Sequence, residues 1–417
     1  MMRRVAITGL GVVSAAGIGQ TCFFEALLSA RSGLRAVAVP FPTGPENVVL
    51  GPVLLDETST HPTLLIPKAR LMTMDRVSQL ALIAGREAMA QAGLASHANS
   101  DARDRFGVIV GTGSGGAGST DSAYTALLEQ KAARLRPMTV VLSMSNAVAA
   151  HLSIEFGLHG PSNTISNACA SSATAIGEAF RQIRHGYADV MLAGGSEALL
   201  NRGTIKAWQA MSTLAKLHPD GAQASCRPFS RDRSGLVLAE GAAVVVLEDW
   251  DHAVQRGATI LAELAGYAAT SDAHHLTQPE ASAQARAMGL ALADAQLNIT
   301  DIGYLNAHGT ATDVGDVVET HAIRSAFGAL ADALPVSSTK AVHGHAMGAA
   351  GAMEFVAAVM ALRSHSVPPT AFLTEPDPRC DLDYIALHAR DKPHLQAVMS
   401  NSFAFGGSNA VLIAKKA

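Results

Sequence analysis

Cysteine is scarce in this chain of 417 residues. The four cysteines, Cys22, Cys169, Cys226 and Cys380, lie far apart, and none belongs to a CxxC pair. Zinc knuckles and disulfide frameworks both need closely spaced or numerous cysteines. The pattern argues against both and favours a reducing compartment, so we expect a cytoplasmic protein.

Charged residues are also few, and neither sign dominates. They make up 16% of the chain, and the formal net charge is −4. This balance gives no general electrostatic reason to bind nucleic acid. We expect no nucleic-acid partner, although a local basic patch would still suit an acidic protein.

Long uninterrupted hydrophobic runs are missing as well. The N-terminal stretch MMRRVAITGLGVVSAAG mimics a signal peptide, but glycine and threonine interrupt its apolar run. We interpret RRVAITGLGVV as a buried strand and turn. No later apolar run approaches the roughly 20 uncharged residues of a membrane span, so we expect no span.

Small and aliphatic residues are abundant instead. Hydrophobic residues make up 48% of the chain, which contains 37 glycines. The length allows a large core and two domain-sized units. Strand-like runs such as FGVIVGTG, DVMLAGG and GAAVVVLED alternate with alanine-rich stretches such as SQLALIAGREAMAQAGL. This alternation predicts an α/β protein with helices packed on sheets, and the low charge favours a homodimer.

A weak internal repeat divides the chain. The segment TISNACASSATAIGEAFRQIRHG has the pattern of a strand, a turn of small residues and a helix. The segment VSSTKAVHGHAMGAAGAMEFVAAVMALRSH repeats this plan. The repeat predicts two similar halves, joined near residues 250 to 260, whose strand-to-helix turns face one another across a pseudo-twofold axis.

One glycine-rich loop has the spacing of a dinucleotide-binding motif. GTGSGGAG places Gly111, Gly113 and Gly116 in a GxGxxG pattern directly after an apolar strand. A dinucleotide site would also need a second apolar strand and an acidic residue about 20 positions on. The following STDSAYTALLEQ provides no such strand, so we predict a tight turn beside a buried pocket.

Cys169 lies between a β-type run and a series of small helix formers. A free cysteine is more often a small core residue than a nucleophile. A helix that begins near residues 168–170, however, would place the thiol at its N-terminal end. There, unpaired N–H groups and the helix dipole favour a thiolate.

Two histidines in glycine-containing turns are candidate partners of this thiol. They are His308 in LNAHGTATDVGD and His345 in KAVHGHAMGAAG. Either one alone is more often a hydrogen-bonded structural residue. A metal site on His343 and His345 is disfavoured, because no carboxylate or cysteine cluster completes a ligand set at recognisable spacing. We therefore expect no metal and no cofactor.

Four motifs together resemble those of a known family. ACASS, NAHGTATDVGDVVE, SSTKAVHGHAMGAAGAMEF and NSFAFGGSNA are similar, in order and spacing, to β-ketoacyl-acyl-carrier-protein synthases of the elongating type, in the thiolase superfamily. The resemblance implies a thiolase-like, five-layered αβαβα duplication, usually dimeric. Its pseudo-twofold halves would span residues 1–255, with the nucleophilic cysteine, and 256–417, with two histidines and a lysine.

The resemblance also implies an activity and a site. Cys169 would take an acyl group from a carrier-protein thioester, and the N–H groups of Cys169 and Phe405 would form an oxyanion hole. His308 and His345 would stabilise the enolate formed when malonyl-carrier protein loses CO2. Attack of this carbanion on the acyl group would give a β-ketoacyl product two carbons longer.

Supporting roles follow from the same resemblance. Lys340 would orient His345, through a charge pair with Glu354, and Phe405 would gate the acyl pocket. Ala404 stands where many relatives carry glycine, which would restrict the gating loop.

Further matches concern the acyl tunnel and the carrier protein. Ser114 and Thr139 match pocket-lining positions that are often larger, so the tunnel would admit a long or rigid chain. Trp208 and Met211 would partly refill it. A face for docking an acidic acyl carrier protein would include Lys68, Arg70, Lys131, Arg134 and Arg136.

Related activities remain as alternatives. A thiolase would need a second catalytic cysteine in a CxG-like context, which Cys380 does not offer, and a starter-condensing enzyme would carry asparagine in place of His345. A chain-length factor would lack Cys169, but the chain could be the active half of a heterodimer with such a factor. Fatty-acid and polyketide or polyene pathways use the same site, so the substrate stays open.

Overall fold

The computed structural model describes residues 2–55, 66–95 and 103–417. The strands are β1 (Val5–Ser14), β2 (Gly17–Ile18), β3 (Arg35–Phe41), β4 (Gly44–Leu50), β5 (Phe106–Gly111), β6 (Ser162–Ile165), β7 (Val190–Glu197), β8 (Gly241–Asp249), β9 (Ala262–Ser271), β10 (Ile302–Asn306), β11 (Val336–Ser337), β12 (Ser366–Val367), β13 (Arg390–Asp391), β14 (Ala397–Ala404) and β15 (Ser408–Lys415). The α-helices are α1 (Gln20–Leu28), α2 (Lys68–Leu71), α3 (Arg76–Gln91), α4 (Ala117–Leu128), α5 (Thr139–Ser143), α6 (Ala147–Phe156), α7 (Ser171–Arg184), α8 (Arg202–Ala210), α9 (Trp250–Gln255), α10 (Ala281–Ala295), α11 (Asp313–Phe327), α12 (Lys340–His343) and α13 (Ala350–Ser364).

The main sheet consists of two parts with the same topology. The first has the order β6-β5-β7-β8-β1, and the second has the order β11-β10-β14-β15-β9. In each part three parallel strands are followed by two antiparallel ones. The two parts meet where β1 pairs with β9, from Val5↔Leu264 to Ile7↔Ala262. The repeated strand order confirms the predicted duplication.

Three of the apolar cores lie within a stack of five layers. The central core lies between the two parts of the sheet and contains α7 and α13, which contact strands of both parts. A second core packs α3 and α6 on the outer face of the first part. A third packs α10 and α11 on the outer face of the second part. This arrangement is the expected αβαβα architecture.

The first strand shows how composition produces close packing. All ten residues of β1 are buried, as expected for a strand covered on both faces. A Cβ on Gly9 would lie 2.1 Å from the Ala88 carbonyl oxygen, and one on Gly11 would lie 1.9 Å from that of Ala84. The two glycines therefore let α3 lie directly against β1. The N-terminal stretch is a buried strand, as its interrupted apolar run predicts.

A long apolar helix lies at the centre of the protein. The segment Met347–Ser364 is long and apolar enough to cross a membrane by length and composition alone. It contains the charged residues Glu354 and Arg363, and 83% of it is buried inside the protein. This segment is the turn before α13 together with α13, one of the two central core helices.

Candidate active site

Cys169 occupies a short turn between β6 and α7. A 3-10 turn spans Ala168–Ala170, and α7 begins at Ser171. The Ser171 hydroxyl donates to the Ala168 carbonyl oxygen at 2.6 Å and accepts from the Asn167 N–H at 2.8 Å. These bonds hold the turn while Ala168 has a left-handed φ of 45°. The thiol therefore lies at the start of α7, within a residue of the predicted position, and is 8% exposed.

His345 lies directly beside this thiol. Its Nε2 is 3.2 Å from the Cys169 Sγ. The Met347 N–H donates to the His345 Nδ1 at 3.2 Å. A nitrogen that accepts a hydrogen bond carries no proton in a neutral imidazole, so the network places the proton on Nε2, facing the sulfur.

His308 approaches the same point from the second half of the chain. It follows β10, and its ring lies edge-on to that of His345 with centroids 5.4 Å apart. Its Nδ1 is 3.4 Å from the Lys340 Nζ, which only donates. The His308 Nε2 therefore also carries the proton.

Lys340 is completely buried and supports His308. Its Nζ donates to the His308 carbonyl oxygen at 2.5 Å and forms an ion pair with Glu354. Burial raises the pKa of Glu354 to about 7, although Lys340 lowers it in part. The predicted charge pair with Glu354 is present, but the Lys340 side chain reaches the carbonyl and ring of His308 and not, as was expected, His345.

Burial controls the protonation of the three central groups. It lowers the pKa of both histidines well below the ordinary value, and the charge of Lys340 lowers them further. Both rings are therefore neutral N–H donors near pH 7. Burial raises the pKa of the Cys169 thiol to about 12, while Lys340 and the Phe405 N–H lower it in part. The expected lowered thiol pKa is thus wrong for the unloaded site, because desolvation outweighs the favourable position at the helix start.

A cavity of about 460 Å³ connects these groups to the surface. Cys169, His308 and His345 lie at its buried end, and Phe405 lies on its wall. The Phe405 N–H reaches the Cys169 sulfur, and its ring stacks on Trp208 with centroids 5.9 Å apart. Two N–H donors of the histidines and one backbone donor therefore point to the space around one sulfur atom.

The other predicted pocket and docking residues are placed unevenly. Trp208 and Met211 line the cavity, whereas Ser114 and Thr139 do not. Of the five predicted docking residues, four are exposed: Lys68, Lys131, Arg134 and Arg136. Arg70 is only partly exposed, because it forms an ion pair with Glu155.

The glycine-containing loop that carries His308 is held by two carboxylates that the sequence analysis did not predict. The N–H groups of His308 and Gly309 donate to Glu319 at 2.8 and 2.7 Å. The N–H groups of Thr310 and Ala311 donate to Asp316 at 3.0 and 3.1 Å. The spacing of these acids, three residues apart in DVVE at the start of α11, was the available signal, because such residues share one helix face.

The GTGSGGAG loop is held in the same way. The N–H groups of Gly113 and Ser114 donate to the buried Glu197 at 2.6 and 3.2 Å. This carboxylate satisfies the loop N–H groups that a phosphate would need. The loop is therefore a tight turn, as predicted, but none of its residues lines the cavity described above.

The possible metal ligands in HGH do not converge. The His343 Nε2 faces the Thr339 hydroxyl at 2.9 Å. Instead, one ligating atom each of Cys169, His308 and His345 lies within 4.8 Å of the others. These are ligand types that zinc accepts, but the Lys340 ammonium group 3.4 Å from His308 opposes a cation there. The arrangement suits nucleophilic chemistry, with a thiol and two neutral donors facing one cavity.

The comparisons with known proteins cover almost the whole chain. The model of the beta-ketoacyl synthase N-terminal domain matches residues 2–253, and that of the C-terminal domain matches residues 261–374. The chain is 45% identical over 414 residues to nodulation protein E of Rhizobium sp. strain N33, with 99% of each chain covered. It is 38% identical over 417 residues to 3-oxoacyl-(acyl-carrier-protein) synthase 2 of Staphylococcus aureus strain COL, with 99% of this chain and 98% of the relative covered.

Solved structures agree with the fold over the full length. The ketosynthase of a type II polyketide system, in complex with its acyl-carrier protein, is 31% identical, with a TM-score of 0.89 and complete coverage of both chains. The ishigamide ketosynthase/chain length factor is 31% identical, with a TM-score of 0.88 and complete coverage of both chains.

Fold and site together define a class of enzyme. A duplicated αβαβα fold that brings a cysteine from one half to two histidines of the other is a condensing enzyme of the thiolase superfamily. Within that class the chain belongs to the beta-ketoacyl synthase family.

Proposed function

We propose that the protein catalyses the decarboxylative condensation of an acyl chain, held on Cys169, with malonyl-acyl-carrier protein. The observation that carries this proposal is the convergence of a thiol and two neutral N–H donors at the end of one cavity. The product is a β-ketoacyl-carrier protein two carbons longer than the starting chain. Fatty-acid synthesis and polyketide-type elongation both use this reaction.

The first step transfers the acyl group. The Cys169 sulfur attacks the carbonyl carbon of the acyl thioester, and the carrier thiol leaves with the proton of the Cys169 thiol. The N–H groups of Cys169 and Phe405 stabilise the oxyanion of the tetrahedral intermediate. Because burial raises the pKa of the thiol to about 12, little thiolate exists before the substrate binds.

The second step uses the two histidines. Malonyl-carrier protein loses CO2, and the electron pair of the broken C–C bond forms an enolate of the remaining thioester. The Nε2–H groups of His308 and His345 donate to the enolate oxygen. Neutral donors suit this task, because they stabilise the anion without protonating it. The enolate carbon then attacks the acyl carbonyl, and the Cys169 sulfur leaves.

Lys340 and Phe405 act around these groups. Lys340 holds the His308 carbonyl and keeps a proton off the His308 Nδ1, so that Nε2–H remains the donor. The Phe405 ring, which is 37% exposed and stacks on Trp208, gates the path between cavity and acyl pocket. Ala404 adds a Cβ next to this gate, where Gly406 and Gly407 supply the left-handed φ values of 83° and 73°.

The partner that delivers substrate is an acyl carrier protein, as in the polyketide complex. We place its docking on the exposed cations Lys68, Lys131, Arg134 and Arg136. The pairing of Arg70 with Glu155 leaves it a smaller part in this face. The reaction requires no metal or cofactor, since the residues themselves provide the nucleophile and the donors.

We also propose a dimer. Tyr124, Leu128 and Val140 on α4 and α5 are 61%, 76% and 70% exposed. After α6, β6 ends the sheet and pairs only with β5 among the described residues. An exposed apolar face and an open strand edge favour pairing with another chain. We therefore propose a homodimer in the cytoplasm, and within each chain we place the boundary between the two halves near residue 255.

The alternative partner is a chain-length factor. The structural relative that combines a ketosynthase with such a factor supports this possibility, and Cys169 assigns this chain to the active half. This protein is 45% identical to nodulation protein E but 38% identical to 3-oxoacyl-(acyl-carrier-protein) synthase 2. This difference favours a specialised acyl substrate over general fatty-acid elongation. A thiolase is disfavoured, because Cys380 is buried in the outer core and does not line the cavity.

Intact-mass spectrometry tests the function. The purified protein is incubated with saturated and unsaturated acyl-carrier proteins, and then with malonyl-carrier protein. We expect an acyl adduct on the protein that disappears when malonyl-carrier protein is added, with a product two carbons longer. An adduct that persists in Cys169→Ala would refute the assignment of the nucleophile.

A further inference from the structure

Glu197 accepts hydrogen bonds from two neighbouring loops. It ends β7, is fully buried, and receives the Gly113 and Ser114 N–H groups and the Thr112 hydroxyl from one loop. From the second loop, the Gly348 N–H donates to it at 2.9 Å. One carboxylate therefore joins the turn after β5 to the turn that follows His345.

The turn on the His345 side depends on an external contact. Met347 has a left-handed φ of 42°, which is unfavourable for a residue with a side chain. Its N–H nevertheless donates to the His345 Nδ1, and its Sδ lies 4.0 Å from the Cys169 Sγ. The next N–H along the chain, that of Gly348, is the one that Glu197 binds. The bond to Glu197 thus fixes the peptide adjacent to the one that sets the tautomer of His345.

Close packing holds this turn against the glycine-rich loop. A Cβ on Gly348 would lie 2.4 Å from the Gly113 nitrogen and 2.5 Å from the Glu197 Oε2. The turn therefore lies directly on the carboxylate and the glycine-rich loop. Both oxygens of Glu197 accept hydrogen bonds from N–H or O–H donors. A glutamine in its place would direct its NH2 group, which is also a donor, towards at least one of these groups and would lose that bond.

We propose that Glu197 is a positioning residue for His345: through Gly348 and Met347 it keeps the proton of His345 on Nε2, directed at Cys169. This role rests on the proposed function of His345 as an N–H donor. Glu197 does not line the cavity, so its effect reaches the substrate only through the turn.

The test compares Glu197→Gln with Glu248→Gln in the full-length protein. Glu248 is also a fully buried carboxylate, bonded to Thr8, His252 and Arg256 at the far end of β8, so it controls for loss of a buried acceptor. We expect Glu197→Gln to lower kcat of condensation by roughly 10- to 100-fold, as for a small misplacement of a reacting group. KM for malonyl-carrier protein should change less than threefold, and Glu248→Gln should keep kcat within twofold.

A second readout does not depend on the reaction. Nitrogen chemical shifts of 15N-histidine-labelled protein, assigned with His345→Ala, report which ring nitrogen of His345 carries the proton. We expect Nε2–H in the wild type and in Glu248→Gln, and a mixture of tautomers in Glu197→Gln. If the wild type forms no product, the proposed function fails, but the tautomer measurement still tests Glu197.

Two results would overturn the inference. One is a Glu197→Gln protein with wild-type kcat and an unchanged His345 tautomer. The other concerns folding. If Glu197→Gln does not fold, Gly348→Ala is measured in its place, because it disturbs the same contact. It should give the same loss of kcat and the same mixture of tautomers. Failure of both variants to fold, while Glu248→Gln folds, would make Glu197 a structural residue only.

Discussion

Replacing Lys340 by methionine isolates the buried charge of Glu354. Lys340 and Glu354 are both fully buried, and each is the other's ion-pair partner. Removing one member of a buried pair costs roughly 3 to 5 kcal/mol, because the remaining charge has no partner. Glu354 can avoid this cost by taking up a proton, so the loss of stability should depend on pH.

The size of this dependence follows from the pKa of Glu354. Burial raises it from the ordinary 4.5 to about 7 in the presence of Lys340, whose charge and hydrogen bond lower it; without Lys340 it rises further. At pH values between the unfolded and folded pKa of Glu354, the folded protein holds one more proton than the unfolded protein. The free energy of unfolding therefore falls by about 1.4 kcal/mol for each unit that the pH rises. In the wild type this fall ends near pH 7, whereas in Lys340→Met it continues. The extra destabilisation should therefore grow by about 2 kcal/mol between pH 7 and 8.5.

Urea unfolding followed by the fluorescence of the two tryptophans measures this difference at several pH values. Lys340→Met/Glu354→Gln is the matched control, because a neutral pair has no proton to exchange. It should be more stable than Lys340→Met at pH 8.5 and should show no additional loss between pH 7 and 8.5. A destabilisation by Lys340→Met that is the same at both pH values would refute the reasoning.

Three further predictions concern the thiol, the histidines and the dimer. Because burial raises the pKa of Cys169 to about 12, its alkylation by iodoacetamide should accelerate about tenfold per pH unit from pH 7 to 9. The rate is corrected for the alkylation of Cys169→Ala. A plateau below pH 8 would show that the position at the start of α7 lowers the thiol pKa more than burial raises it. His308→Ala and His345→Ala should each slow release of CO2 from malonyl-carrier protein by roughly 10²- to 10³-fold, with some acylation retained; loss of acylation alone would contradict enolate stabilisation. Leu128→Glu together with Val140→Glu should give a monomer in native mass spectrometry, and an unchanged dimer would place the interface elsewhere.

Local sequence patterns predicted the elements that carry the site. The small residues around Cys169 indicated a strand, turn and helix, and the glycines around His345 indicated the same plan in the second half. These patterns arise from short-range chemistry, such as turn residues and helix formers. The resemblance to condensing enzymes then predicted that Cys169, His308 and His345 meet in one site.

Side-chain directions and distant pairs could not be predicted in the same way. Lys340 lies five residues from His345 in the chain, yet its side chain contacts His308, which is 32 positions away. Arg70 meets Glu155, which is 85 positions away. Glu197 is a lone acid after an apolar strand, and only the folded chain shows that two loops converge on it. Such contacts depend on how elements cross in space, which spacing along the chain does not specify.

The central claim is that one site joins acyl transfer to decarboxylation. The direct measurement uses malonyl-carrier protein with 13C at all three malonyl carbons, mixed with protein whose Cys169 already carries an unlabelled acyl group. We predict that each product chain gains two 13C atoms, that one 13C is released as CO2, and that the acyl adduct on Cys169 disappears at the same rate. Labelled CO2 without a lengthened chain, or a lengthened chain while Cys169 keeps its acyl group, would contradict the account.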